Sequence, residues 1–445
     1  MEDNEKRVYP VDRWIIDPLS RFISNSTTSG IVLFSAAALA LGLSNSPWSE
    51  EFQQLWKHHV SIGYDEYIIS KDLQHWINDG LMALFFFVVG LELKREIIAG
   101  ELSSLKKAAL PIAAAIGGML LPALVYLIFN HTGDTVHGWG IPMATDIAFA
   151  LGVLYLLGDR VPLSLKIFLT VLAITDDIGA VLVIAFFYTS DINFISLLTG
   201  AGFMAVLIFA NWMGVRNTIF YGVVGIGGLW LAFIMSGVHA TIAGVLAAFT
   251  IPATVKVSAG FFTQKLEQLL ARFKSAEVNT LPIVSNEQFK ILSEIAKFSE
   301  QALTPLQRIE HAMHPFVAFV IMPIFALSNA GVELSSNFIT QIQSPITVGI
   351  FFGLLVGKVF GVLGVVYLML RFKWAVLPQG VNIWHMWGAG FLAAIGFTMS
   401  LFISGLAFRQ EDYAVQAKLG VLAASLVASV IGYFIIRIAN NKPQT

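Results

Sequence analysis

Residues 166–189 read KIFLTVLAITDDIGAVLVIAFFYT, an apolar run long enough to cross a hydrocarbon core of roughly 30 Å as a helix, with Asp176 and Asp177 at its centre. An ionisable group at bilayer depth costs several kcal/mol, so each one asks for a partner, a water cavity or a neutral protonation state. Adjacent carboxylates on a helix project about 100° apart, so one can face a pore while the other faces a neighbouring helix. Two such acids titrate as a coupled unit. A small hard cation prefers oxygen ligands and neutralises the same charge that a proton neutralises. A site where ion and proton compete performs exchange if it opens alternately to the two sides and moves only when occupied.

The rest of the chain fits that reading. Of its 445 residues 56% are hydrophobic and 13% charged, a balance that a water-soluble domain could not carry on its surface. Strict alternation over about ten positions, which a membrane barrel requires, is absent. The fold class is therefore an all-α polytopic membrane protein. Twelve candidate spans begin near residues 28, 76, 107, 143, 165, 193, 217, 236, 312, 346, 385 and 415. Lys94, Arg95, Lys106, Lys107, Arg216, Arg371, Lys373 and Arg437 gather at one end of these spans, while Lys57, Lys71, Arg409 and Lys418 are exceptions on the other. The positive-inside rule then places both termini in the cytoplasm, and an even number of spans agrees. A net charge of -2 and the lack of basic tracts argue against nucleic acid as a partner; membrane lipid is the expected surroundings. Cysteine is absent, which excludes disulfides, thiolate metal sites and a cysteine nucleophile.

The organisation reads as a cytoplasmic amphipathic segment at 1–27, spans 1–8 over 28–254, a polar cytoplasmic insertion at 255–309, spans 9–12 over 310–438 and a cytoplasmic tail at 439–445. Helical spacing of apolar residues predicts two amphipathic helices within the insertion, Gln264–Lys274 and Glu287–Phe298, with Leu266, Leu269, Leu270 and Phe273 on one face of the first. After the first span, HVSIGYDEYIIS (59–70) permits a short exposed hairpin able to pair with a second subunit.

Other charges at membrane depth are few: Asp79, Glu92 and Glu96 in span 2, Thr145 with Asp146 in span 4, and Lys358 in span 10. Lys358 is the one basic residue well inside a span, either neutral or paired with a carboxylate. That pair is read as a counter-charge released on cation arrival or as a permanent structural bridge. Span 4, entered through GWGIPMATDIAF (138–149), and span 11, containing AGFLAAIGFTMSLF (389–402) with polar Thr398 and Ser400, both look capable of unwinding midway. Broken helices at matching places in two three-span units, spans 3–5 and 10–12, point to a midplane ion site, where bare helix ends need charges of the signs of Asp146 and Lys358. Close helix packing is the alternative reading of the glycines in span 11. Near the cytoplasmic ends, Arg308, Glu310, His311 and His314 form one group and Glu92, Arg95 and Glu96 another. They read as a pH-sensing cluster or as an interfacial salt-bridge network. His239 reads as a hydrogen-bonded packing residue.

Eight segments then carry a resemblance: WINDGLMALFFFVVGLELKRE (76–96), ATDIAFALGVLYLLG (144–158), LAITDDIGAV (172–181), SGVHATIAG (236–244), RIEHAMHPFVAF (308–319), SNAGVEL (328–334), GLLVGK (353–358) and IGFTMSLFI (395–403). In this order they resemble the bacterial NhaA-type sodium/proton antiporters, a family known for inverted repeats and discontinuous helices. The resemblance implies twelve helices in inverted three-helix repeats with interrupted fourth and eleventh spans. It also implies a homodimer in the bacterial inner membrane and pH-regulated, electrogenic export of Na+ or Li+ against protons. By the same likeness Asp177 is the principal cation ligand and Asp176 the acid paired with Lys358, the two together holding Na+ or Li+. Thr145 and Asp146 compensate helix dipoles, Asp79 and Thr398 belong to the pathway with Asp79 on its cytoplasmic side, and Glu92, Arg95, Glu96, Arg308, Glu310, His311 and His314 respond to pH. Two departures stand out: Val359 follows Lys358 where the family has proline, and the 255–309 insertion is longer than the usual loop.

The expected activity is secondary transport, not enzymatic catalysis, with no cofactor; no phosphate-cradling GxxxxGK[ST] loop is present. Two rivals are a transporter of an organic ion, which wants a roomier cavity, and a sensor that binds the cation without turnover.

Overall fold

The computed structural model describes residue 22 and residues 26–64, 67–158, 161–189, 192–276, 283–334 and 338–439. Most of the expected 1–27 amphipathic segment lies outside the described residues, as does the 439–445 tail beyond its first residue. Every expected span is helical, because each is a long apolar run whose backbone has no other way to satisfy its hydrogen bonds in lipid. Among the described residues nine helices are long and apolar enough to cross a membrane: Thr27–Ser44, Ala108–Phe129, Leu163–Phe187, Phe194–Trp212, Thr218–Ser236, Pro305–Asn329, Pro345–Arg371, Ile383–Ala407 and Glu411–Ala439. The pair Gly133–Met143 and Ile147–Tyr155, bent by 42°, makes a tenth and corresponds to span 4. This is an all-α, multi-pass membrane protein.

Spans 2 and 8 differ from the rest for physical reasons. Span 2 runs over 73–99 through a π-helical turn at Ile77–Leu81, and its far half carries Glu92, Lys94, Arg95 and Glu96, too many charges for a purely lipid-facing helix. Span 8 is the short helix Ala240–Thr250, begun after Gly237 in the left-handed conformation (φ +81°) and ended where Pro252 follows Ile251. The two spans pack on glycine: a Cβ at Gly90 would stand 3.2 Å from the Val245 Cα, and one at Gly244 would stand 3.1 Å from the backbone nitrogen of Phe87. Lys94 then reaches across and donates to the carbonyls of Phe249 (2.6 Å) and Ile251 (2.5 Å), capping the carboxyl end of span 8.

Spans 3 and 10 meet in a similar way. Gly117 and Gly361 face each other so closely that a Cβ at Gly361 would stand 3.2 Å from the Gly118 Cα. A π-helical turn, Gly353–Lys358, ends at Lys358, and the next amide, Val359 N–H, donates to the Val356 carbonyl. Position 359 thus uses a hydrogen that proline would lack.

The expected hairpin forms from His59–Tyr64 and Tyr67–Asp72, antiparallel from His59↔Asp72 to Tyr64↔Tyr67, after a short helix Ser49–Lys57. Its tip, Asp65 and Glu66, lies outside the described residues. The insertion forms two helices, Ala259–Ser275 and Asn286–Ala302, with a small core of Leu269, Ala276 and Ile291 flanked by Phe273 and Ile295. Both contain the stretches expected to be helical, and in the first Leu270 faces outward instead of into that core.

Candidate ion-binding site at the crossing of two interrupted helices

Span 4 stops at Met143 and resumes at Ile147; span 11 stops at Ala393 and resumes at Phe397. The short non-helical links cross, and the Asp146 backbone N–H donates to the Ile395 carbonyl at 2.7 Å. Two helices begin and two end here, within a region where Thr145, Asp146, Asp176, Lys358 and Thr398 are all fully buried. Bare N–H groups at a helix start and bare carbonyls at a helix end carry partial charges that must be satisfied.

Each end has a partner. The Asp146 carboxylate accepts from the Phe149 N–H (2.9 Å) at the start of its own helix, and from the Thr398 N–H (3.0 Å) and hydroxyl at the start of the facing one. One acid therefore serves two helix starts. On the carbonyl side, Lys358 Nζ donates to Met143 and to Asp176 Oδ2, the latter at 2.7 Å. The Thr145 hydroxyl stands 2.8 Å from the Ala393 carbonyl oxygen and 2.7 Å from Asp176 Oδ2. A hydroxyl has one proton, so it serves one of these oxygens at a time. Ser400 adds a bond to the Ile141 carbonyl at 2.7 Å.

Asp177 stands apart from this network. It is 1% exposed, yet neither carboxylate oxygen has a hydrogen-bond partner among the described residues, and Asp176 Oδ1 also lacks one. Buried polar oxygens without partners are rare because desolvation is uncompensated. The arrangement thus leaves three buried carboxylate oxygens without a hydrogen-bond partner among the described residues, a chemistry suited to a proton or a small hard cation.

The sequence model of the Na+/H+ antiporter 1 family matches residues 20–436. The chain belongs to that family. It is 50% identical over 430 residues to the Na(+)/H(+) antiporter NhaA of Oleidesulfovibrio alaskensis, covering 96% of this chain and 95% of that protein. It is also 48% identical over 438 residues to the Na(+)/H(+) antiporter NhaA 1 of Saccharophagus degradans (95% and 93%), and 47% identical over 421 residues to the Na(+)/H(+) antiporter NhaA of Wolinella succinogenes (94% and 93%).

For this member of the Na+/H+ antiporter 1 family, the residues singled out from sequence fall into three places. Asp176, Asp177, Lys358, Thr145, Asp146 and Thr398 meet at the crossing, with Thr398 there as a partner of Asp146. A second group lies at the far end of span 2, where Arg95 bridges Glu310 of span 9 and, at 3.1 Å, Glu96, with Glu92, His311 and His314 within electrostatic reach. Arg308 is not in it: two residues before Glu310, it points about 200° around the helix and pairs with Glu300 of the insertion at 3.7 Å. The third place corrects an expectation. Asp79 lies near the hairpin end of span 2, paired with Lys71 of the hairpin at 2.6 Å, and so at the opposite end from Arg95. The likeness implied a cytoplasmic position for Asp79 as well as for the Arg95 group, but thirteen residues, more than three helical turns, separate Asp79 from Glu92, so the two cannot lie on the same side.

His239 has a hydrogen-bonding contact of the kind expected of it, its Nε2 3.0 Å from the Tyr188 carbonyl oxygen. Sequence reasoning did not anticipate the carbonyls of Met143 and Ala393, since a backbone acceptor leaves no mark in residue type. The cap that Lys94 places on span 8 was missed too, though a lysine so near an apolar helix end was a usable signal.

Proposed function

We propose that this protein exports Na+ or Li+ across a bacterial inner membrane in exchange for protons, with Asp177 as the principal ion ligand and both termini in the cytoplasm. The observation that carries the reading is the buried Asp177 carboxylate, without a hydrogen-bond partner among the described residues, beside an Asp176–Lys358 ion pair. A buried carboxylate without a partner is stable only when neutralised, and a proton and a small cation are the alternatives. The names of the relatives support sodium and protons as the exchanged ions.

In the proton-loaded form Asp177 holds a proton and Asp176 is held by Lys358. A cation entering the space takes the Asp177 oxygens as the proton leaves, and competes with the ammonium for Asp176. If Lys358 merely swings away still charged, one ion replaces one proton. If it gives up its proton as Asp176 turns to the ion, two protons leave for each ion and the cycle moves net charge; this is the electrogenic exchange we favour. Thr145 assists by returning its hydroxyl proton to the Ala393 carbonyl, which frees its oxygen lone pairs toward the ion. Asp146 and Thr398 keep the crossing assembled throughout. The Arg95, Glu96, Glu310 group, with Glu92, His311 and His314, regulates this exchange with pH, and the hairpin joins two protomers through its open edges.

Sodium-induced dequenching of a pH-sensitive dye in energised inside-out vesicles tests the reading. Dequenching with the wild type and none with Asp177→Asn is expected. Silence of the wild type at every pH from about 6.5, where histidine begins to lose its charge, up to about 9 rules out exchange. Sodium binding without proton release would mean a sensor instead.

A further inference from the structure

The insertion between spans 8 and 9 takes no part in the chemistry at the crossing, yet its two helices form a layer with two unlike faces. In Asn286–Ala302, Gln288 and Ile291 are buried, Ile295 packs on the small core, and Phe298 stacks on Phe262 of Ala259–Ser275 with ring centroids 5.7 Å apart. Glu294 borders this seam and reaches Lys265 at 3.6 Å and Arg272 at 3.4 Å, so one face is ionic. The opposite face is apolar. Leu292 precedes Glu294 by two residues, about 200° around the helix, and Phe289 and Ala296 fall in the same row one turn before and after it. On the other helix Leu270 follows Lys265 by five residues, about 140° around. Phe289 is 61% exposed, Leu270 45% and Leu292 42%, so the described bundle does not cover them.

Lysines border the apolar face. Lys274 follows Leu270 by one turn, and Lys290 and Lys297 each follow a residue of the apolar row, Phe289 and Ala296. All three are exposed and have no acidic partner among the described residues, whereas Lys265 and Arg272 on the ionic face share Glu294. The base of the layer is tied to two spans. Pro252, just past the end of span 8, accepts from the N–H of Leu306, the second residue of span 9, at 3.2 Å, and the Lys256 N–H donates to the Gln301 carbonyl at 3.3 Å. Both helices therefore start where a span leaves the hydrocarbon.

We propose that the insertion is an interfacial anchor: its apolar face lies in the leaflet at the Arg95 end of the bundle, and Lys274, Lys290 and Lys297 hold anionic phospholipid headgroups beside it. The proposal does not depend on ion exchange. Burying Phe289, Leu292 and Leu270 at the boundary of headgroups and acyl chains supplies the driving force, while the long lysine side chains keep their ammoniums at headgroup level. Charge selects the lipid over a second copy of the chain. Two copies meeting through this face would set like rows of lysine against each other, whereas a leaflet with negative headgroups complements them. Such an anchor holds the ends of spans 8 and 9 at a fixed depth.

The chain has no cysteine, so a fluorophore can be placed at one site of the full-length protein through Leu292→Cys or, five residues and about 140° away on the helix, Glu287→Cys. Each is measured in nanodiscs of phosphatidylcholine alone and of equimolar phosphatidylcholine and phosphatidylglycerol, against a lipid-borne doxyl quencher and aqueous acrylamide. In the anionic discs the label at 292 is expected to be quenched by the doxyl lipid and protected from acrylamide, and the label at 287 to show the reverse. Replacing Lys274, Lys290 and Lys297 by Gln in turn is expected to lower the ratio of docked to undocked layer about fivefold per lysine in the anionic discs, the factor that one lysine beside an anionic leaflet represents. In phosphatidylcholine alone the same changes are expected to have little effect. Equal quenching at 292 and 287 overturns the proposal. So does protection of 292 from both quenchers, which would put a second copy or another segment of this chain on the face. Lipid quenching indifferent to all three lysines and to phosphatidylglycerol would overturn the headgroup assignment.

Discussion

Asp176 and Lys358, 182 positions apart in the chain, form a 2.7 Å ion pair in which neither side chain has any solvent exposure. Taking both charges out of water is costly, and the pair persists because the Met143 carbonyl and the Thr145 hydroxyl supply further bonds. Such a pair is poised: its members are far less stable apart than together, so any event that pays one partner's charge releases the other.

Lys358→Ala should therefore destabilise the protein by about 3–5 kcal/mol, the usual result of stranding one member of a buried pair. Thermal unfolding in detergent should show a large part of that loss recovered in Lys358→Ala with Asp176→Asn, where no charge is stranded. Equal losses in the single and double variants would mean that the pair is not coupled.

Asp177→Asn should behave in the opposite way. The Asp177 oxygens make no hydrogen bond among the described residues, so the change costs the fold little, within about 1 kcal/mol of wild-type stability. Exchange should be abolished, and so should any rise in unfolding temperature with added NaCl, the signature of an ion that binds the native state. A melting temperature that still climbs with sodium would move the ion elsewhere.

Asp146→Ala removes an acceptor from the starts of two helices. With hydrogen bonds to a charged group worth about 1.5–3 kcal/mol each, a loss of several kcal/mol is expected. Asp146→Asn, which keeps one carbonyl acceptor, should recover part of it. Thr398→Val deletes one of these bonds and should cost less than Asp146→Ala. Chemical denaturation of the purified variants would rank the three.

The two faces of the first turns of span 9 can be separated by their pH profiles. Glu310→Gln breaks the bridge to Arg95 and should displace the midpoint of exchange activity against pH. Arg308→Gln, whose partner is Glu300 of the insertion, should leave the midpoint in place. A displaced midpoint in Arg308→Gln would tie the insertion to pH control.

The membrane spans were legible because hydropathy is a local property of each run, and the charged pair at the centre of span 5 stood out because such residues are so costly in lipid. The breaks in spans 4 and 11 could be read from glycine and proline around Thr145 and Thr398. Contacts between distant segments were less accessible. That Lys358 would choose Asp176 among several acids came from likeness to relatives, and its second bond, to a backbone carbonyl, had no residue to announce it. Two errors of placement were avoidable in principle. Residues 308 and 310 cannot share a helix face, and Asp79 lies too many turns from Glu92 to share an end of the bundle. The shortness of span 8 was visible in Pro252, hidden by apolar residues that continue the run past Thr250.

The crossing has a mechanical corollary. Four bonds stitch the links together, Asp146 N–H to Ile395, Thr398 N–H and hydroxyl to Asp146, and Ser400 to Ile141, and Thr145 adds a fifth whenever its hydroxyl turns from Asp176 to Ala393. At about 1 kcal/mol or more apiece, shearing one link past the other would sacrifice several kcal/mol at every turnover. The two broken helices are therefore yoked, and the motion that carries an ion from one face to the other has to transport them as a single carriage against the helices around them, with slippage at the perimeter instead of at the hub.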